Sequence, residues 1–335
     1  MPVRLALLAL LALPACDFLD QLRDPQSEPQ PIELVSADEF YGDGSVIAGG
    51  GQSPFVAYSR WDANTGTRSV RVLRHDAARP DSLELVGDFG TGSDPRLFVQ
   101  EDVAVVCDGA DMRLIEVASP ALSSTAMASP TFGPPQALAV SGRWLVAASD
   151  STLALLDLQT PTSVTSYAAP AAVTAVLATQ GTFLAFTATG YVHVTPDPAS
   201  PTFTAVSDPV LRNFRSAFPD GAEAMVAGPS LALGRSRVVR LDLADPAAPA
   251  VRRSHEVDGA FRFFAWDGAS ISVIATGGDG ANVHEGYVVH EAREAFTSQG
   301  IPLPAWWRDG NPIAAHAGRL FALSSGGLGF YRINR

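Results

Sequence analysis

Ala137-Leu138-Ala139-Val140-Ser141-Gly142-Arg143-Trp144-Leu145-Val146-Ala147-Ala148-Ser149-Asp150-Ser151-Thr152-Leu153-Ala154-Leu155-Leu156-Asp157-Leu158-Gln159-Thr160-Pro161 holds one complete copy of a phrase that recurs along the chain. A short apolar segment is followed by a Gly turn, a second apolar segment, a turn of small residues, and a third apolar strand that runs out into an acidic residue and a proline. Such segments, bounded by Gly, Ser, Asp and Pro, predict short antiparallel strands joined by tight turns.

Working outward, Arg113-Leu114-Ile115-Glu116-Val117-Ala118-Ser119-Pro120 and Val238-Val239-Arg240-Leu241-Asp242-Leu243-Ala244-Asp245-Pro246 repeat the third strand and its exit turn. Weaker copies are Val70-Arg71-Val72-Leu73, Tyr191-Val192-His193-Val194, Tyr287-Val288-Val289-His290 and Gly329-Phe330-Tyr331-Arg332. Taking Val72, Ile115, Leu156, Val194, Leu241, Val289 and Tyr331 as equivalent gives steps of 43, 41, 38, 47, 48 and 42. A period of about 40 to 45 with three or four strands per unit is that of propeller blades. The expected fold is therefore all-β, a seven-bladed β-propeller of four-stranded antiparallel blades.

The ends of the chain predict how the ring closes. The last unit, from Pro312, supplies only three strands, whereas Pro31-Ile32-Glu33-Leu34-Val35 is a strand too many before the first. An N-terminal strand joining the last blade completes it and covers an edge that would otherwise be open to pairing. The third-strand phrase with its Asp-x-x-x-Pro turn, at 157–161 and 242–246, resembles the LVIVD repeats of bacterial surface and secreted propellers. That resemblance speaks to fold more than to activity.

Residues 1–15 read as an address. Arg4, an apolar run over 5–13 and Leu13-Pro14-Ala15-Cys16 supply the positive start, short apolar stretch and small-residue cut of a secretory signal. The ending resembles the lipobox of bacterial lipoproteins. This resemblance implies cleavage before Cys16, a diacylglycerol (palmitate-type chains) on its sulfur and a third acyl chain on the freed amine. At about 0.8 kcal/mol per buried methylene, two or three chains anchor a protein durably. The expected organisation is a lipoprotein signal peptide at 1–15, a lipidated tether at 16–31 and a propeller domain at 32–335. The expected location is the bacterial cell envelope, on the periplasmic face of the inner or outer membrane or at the cell surface. No later segment approaches the roughly 20 apolar residues of a spanning helix, so membrane contact is expected through lipid alone.

Composition narrows the chemistry. A formal charge of −12 argues against nucleic acid and anionic lipid surfaces and favours neutral, cationic or mixed partners. All 23 basic residues are arginine. Without lysine, Schiff-base catalysis and a Walker-type phosphate loop are excluded. With Cys16 committed to lipid, Cys107 has no intramolecular partner, and its setting in Val103-Ala104-Val105-Val106-Cys107-Asp108 reads as a buried strand thiol.

No Gly-x-Ser-x-Gly or His-Glu-x-x-His occurs. His284-Glu285 and His290-Glu291 read as surface and strand residues, the first pair in a loop and the second on a strand, and Asp62-Ala63-Asn64-Thr65-Gly66 as a hairpin turn. No metal or cofactor is expected. Segments 208–221 and 299–311 read as insertions, and 59–67 and 276–286 as enlarged loops. In a four-stranded meander, second-to-third-strand loops and blade-to-blade connections lie at one end of the ring. That end is expected to gather Trp61, Arg212, Phe214, Arg215, Phe218, Trp306, Trp307 and Arg308, residue types that dominate binding hot spots. The preferred reading is a non-catalytic binding or assembly scaffold for an envelope protein partner. The alternatives are a propeller enzyme of the metal-dependent hydrolase type and an envelope glycan-binding protein. Apolar inner strands such as 45–48, 137–140 and 313–315 weigh against the enzyme, which needs carboxylates and His converging there.

Overall fold

The computed structural model describes residues 32–39, 44–92, 95–100, 102–108, 111–117, 123–127, 134–160, 163–277, 283–292, 295–301, 313–324 and 327–333. The chain forms seven four-stranded antiparallel sheets, a seven-bladed propeller. After β1 (Ile32–Glu39), blade 1 holds β2 (Gly44–Gly49), β3 (Phe55–Asp62), β4 (Thr67–His75) and β5 (Leu83–Thr91). Blade 2 holds β6 (Arg96–Gln100), β7 (Val103–Asp108), β8 (Asp111–Glu116) and β9 (Ser123–Met127); blade 3 holds β10 (Ala137–Ser141), β11 (Trp144–Ser149), β12 (Thr152–Asp157) and β13 (Val164–Ala168). Blade 4 holds β14 (Val173–Thr179), β15 (Thr182–Thr187), β16 (Gly190–Thr195) and β17 (Thr202–Ser207); blade 5 holds β18 (Ser216–Asp220), β19 (Glu223–Pro229), β20 (Arg235–Asp242) and β21 (Ala250–Asp258). Blade 6 holds β22 (Ala260–Trp266), β23 (Ile271–Gly277), β24 (Val283–Glu291) and β25 (Phe296–Ile301); blade 7 holds β26 (Ile313–His316), β27 (Arg319–Ser324) and β28 (Gly327–Ile333). The first strand of each blade packs beside the first strands of its neighbours and so lies innermost.

Seven apolar clusters hold the ring, one at each junction between blades. Side chains alternate across a strand, so one strand feeds two junctions. On β7, Ala104 and Val106 pack toward blade 1, while Val105 and Cys107 pack toward blade 3. With both faces buried, such strands read as continuous apolar runs. Cys107 is buried as expected, and burial pushes its thiol up to about 12.

Closure follows the sequence reading in topology. β1 pairs antiparallel with β28, from Ile32 opposite Ile333 to Glu39 opposite Gly327. A bulge falls between Leu34 and Ser36, and Val35 packs against the cluster joining blades 7 and 1. Leu34 stays 56% exposed, so the strand contributes its backbone and Val35 here, and Leu34 adds little burial.

The expected loops are partly strands. The 59–67 segment is a long hairpin of β3 and β4 with a turn at 63–66, in which Asp62 Oδ1 accepts from the Asn64 amide at 2.9 Å. Residues 216–220 of the 208–221 insertion are β18, the inner strand of blade 5. His284, expected in a loop, lies within β24. Residues 278–282 and 302–312 lie outside the described residues.

Candidate binding face and axial cavity

Two segments of blade 5 build the most exposed apolar surface at the end where blade-to-blade connections emerge. The first is the connection 208–215. Asp208 Oδ1 accepts from the amides of Val210 and Leu211, at 2.7 and 2.9 Å, which starts a tight turn. Leu211 and Phe214 then plug the junction of blades 4 and 5, with Phe214 edge-on to Phe186 at 5.2 Å between ring centres. Asn213, at φ +59°, carries the chain between them, and Gly228 leaves the space, since a Cβ there would lie 2.6 Å from the Asn213 carbonyl oxygen.

Arg237 clamps the connection from β20. Its guanidinium lies over the Phe214 ring at 4.4 Å and donates to the Arg212 carbonyl at 2.7 Å. Burial pulls its pKa below the usual arginine value, with Arg212 adding to the effect. The clamp leaves Arg215 and Val210 facing solvent, with Arg212 half-buried.

The second segment is the β19–β20 turn, Ser230-Leu231-Ala232-Leu233-Gly234. Ser230 Oγ accepts from the Ala232 amide at 3.1 Å, Ser230 N donates to Arg235 O at 2.9 Å, and Gly234 at φ +73° closes the turn. Leu231 is 55% exposed and Leu233 entirely so. These leucines were missed in the sequence reading. The available clue was an apolar pair enclosed by turn residues, where no strand could bury it.

The eight residues expected at this end separate. Arg212, Phe214 and Arg215 share the 208–215 connection, but Phe214 is fully buried and leaves the accessible face. Phe218, on β18, is half-buried in the cavity wall against Phe264 and Trp266, and is a wall residue instead of a loop one. Trp61 stands on blade 1, three blades away around the ring, half-buried with Arg68 over its ring at 5.8 Å. Trp306, Trp307, Arg308 and Cys16 lie outside the described residues.

Inside the ring is an axial cavity of about 830 Å³, lined by the inner strands. At the opposite end its floor is crossed by residues 49–52 of the β2–β3 loop. Gly51 N donates to both Trp266 O and Ala315 O, at 2.9 and 2.7 Å, and Gln52 Nε2 donates to Asp220 Oδ1 at 2.5 Å. Gly50, at φ +80°, admits this approach, since a Cβ would sit 2.1 Å from the Ala315 oxygen. Asp220 also accepts from Arg240 Nη1 at 2.6 Å. Arg240 grips Glu291 through Nε and Nη2, at 3.1 and 2.5 Å, and stacks over Trp266 at 5.5 Å. Burial opposes the Arg240 charge, but Glu291 and Asp220 outweigh it and hold the pKa above the usual value. Among the described residues no group of three or more His, Cys, Asp or Glu is placed to hold a metal ion.

No family model and no curated relative matches the sequence. Solved structures do. A chain of the mitotic checkpoint complex superposes with a TM-score of 0.60 over 93% of this chain and 94% of its own, at 13% identity. The Cps50 (Swd1) β-propeller domain of Myceliophteria thermophila gives 0.58 over 89% of this chain and 99% of its own, also at 13% identity. At that identity the likeness shows the fold alone.

Proposed function

We propose that this protein is a lipid-anchored envelope propeller, of the LVIVD-like kind, that acts as a non-catalytic scaffold for a protein partner docking on the blade 5 end of the ring. The observation that carries the reading is the display of Leu231, Leu233 and Val210 beside Arg215 on clamped loops. Apolar side chains held in water by a rigid frame lose little entropy on docking, and arginine beside them supplies charge-assisted hydrogen bonds. A structural neighbour drawn from a multi-protein complex is in keeping with such a role. Trp306, Trp307 and Arg308 are proposed for the same partner surface, and Trp61 for its extension onto blade 1 at the same end of the ring.

The geometry of closure suits an anchor at Cys16. Ile32 pairs with Ile333, whose amide donates to Gly318 O in the β26–β27 turn, at the floor end of the ring. The start of β1 thus lies at the end opposite the docking face, and 15 residues fully extended would span about 50 Å. In this reading 1–15 is the signal peptide and the docking face points away from the lipid.

The test begins with Cys16→Ser produced in a bacterial host beside the wild type. The expected result is wild type in the membrane pellet after a high-salt wash and the variant in the soluble fraction, folded. Equal retention of both overturns the anchor. Crosslinking in the cell then identifies the partner, and Leu231→Ser with Leu233→Ser is expected to weaken its binding about tenfold or more. Unchanged binding by the double variant overturns the docking face.

A further inference from the structure

We propose that the axial cavity is itself a ligand site, for a medium-chain carboxylate that enters beside Arg215 and carries a neutral polar group at its far end. The cavity is a cup with a floor, because the loop at 49–52 is bonded to blades 5, 6 and 7 across one end. Its lining reverses the charge of the chain. Acidic residues number 35 of 335 overall, yet among the described residues no carboxylate lines the cavity, while Arg215 and Arg262 do. The carboxylate at the floor, Asp220, is engaged by Gln52 and Arg240.

Both arginines sit at the mouth. Arg215 immediately precedes β18, and Arg262 is the extra residue of a bulge near the start of β22, a device that re-aims a side chain. Arg262 lies against Gly277 and has contacts of its own, so the anion is assigned to Arg215, which is exposed. Below the mouth, the half-buried side chains of Phe98, Leu138, Val140 and Phe263 form an apolar belt. Gln52, Gln100 and Ser141 add neutral polar groups toward the floor. Cation at the rim, hydrocarbon in the middle and amides at the base match such a molecule group by group. This site does not depend on the protein partner proposed above.

Calorimetric titration of the purified protein with 12-hydroxydodecanoate tests it, with dodecyltrimethylammonium as the control of opposite charge. The carboxylate is expected to bind at one site and the ammonium not to bind. Arg215→Glu is expected to weaken binding about tenfold or more, the scale of one charge-assisted hydrogen bond. Gln136→Trp, at an exposed lining position just before β10, is expected to obstruct the mouth and abolish binding. Thermal midpoints report folding, and Arg215→Gln replaces the charge reversal should that variant melt early. No heat from the wild type, equal binding of the two amphiphiles, or wild-type affinity in both variants overturns the proposal.

Discussion

The two ends of the ring solve the same problem differently. At the floor end, polar groups are consumed within the protein: Arg240 is shared by Asp220 and Glu291, Arg319 and Arg332 by Asp81, and a triple-glycine loop lies against three blades. At the other end, blade 5 buries Leu211 and Phe214 to hold its connection and leaves Val210, Leu231, Leu233 and Arg215 in solvent. Satisfied polar groups stabilise a structure and offer little to a partner. Apolar side chains left in water on a turn add nothing to folding, and they are what the proposed docking would cover.

The largest effect should come from the floor. Arg240→Ala takes the bidentate partner from the Glu291 side chain, 10% exposed and then left with Arg253 Nη1 alone at 3.2 Å, and strips Asp220 of a neighbouring cation. Removing one member of a buried ion pair costs about 3 to 5 kcal/mol. Urea denaturation is expected to show a loss of that order, and a loss under about 1 kcal/mol would mean that the network is solvated and the contrast between the ends overstated.

A smaller, pH-dependent loss should appear where the floor meets the seam of blades 7 and 1. His75 is buried edge-on to His316, Phe321 and Phe330, at 5.3, 5.9 and 5.6 Å, with Nε2 3.1 Å from Pro80 O. Burial lowers its pKa from 6.5, with further depression from His316 and Arg319 and opposition from the Pro80 bond and Asp76. The folded state therefore holds a neutral ring whose Nε2–H donates to Pro80 O. Its stabilising contribution is present above pH 6.5 and declines as pH falls toward the lowered folded pKa, because the unfolded chain takes up the proton first. Burial depresses His193 and His255 in the same direction. Stability is expected to fall from pH 7.5 to pH 5, and His75→Phe to flatten part of that slope. A slope unchanged in His75→Phe would place the dependence in the other two histidines.

The smallest effect on folding belongs to the open end. Leu233→Ser should leave the unfolding free energy from urea denaturation within about 0.5 kcal/mol of wild type, since nothing covers the side chain it removes. A larger loss would show that Leu233 packs in solution and would withdraw it from the docking face.

The ring itself was legible because burial on both faces of every blade writes itself into the chain. Val72, Ile115, Leu156, Val194, Leu241, Val289 and Tyr331, aligned by phrase alone, all fall on the third strands of their blades. The spare strand at 32–35 was readable for the same reason, as a count of strands against blades. The candidate face was legible only in part. Phe214 and Phe218 looked like loop aromatics because they interrupt no strand phrase, yet one plugs a blade junction and the other lines the cavity wall. Leu231 and Leu233 looked like ordinary apolar residues, and a sequence carries no mark of which leucines water can reach. Gly49, Gly50 and Gly51 mark a turn after the first inner strand, and nothing in the sequence signals that it reaches blade 5.

By itself the order of residues determined the number of blades, the strand that closes the ring and the absence of lysine chemistry. These depend on spacing along the chain, and strand alternation and turn residues act over a few positions. Only the tertiary structure decided that the axial cavity has a floor, that its lining among the described residues holds arginine and no carboxylate, and that the exposed leucines stand at the end opposite the start of β1. Those properties arise between residues far apart in sequence, such as Gln52 and Asp220 or Gly51 and Ala315, and closing the ring is what brings them within reach.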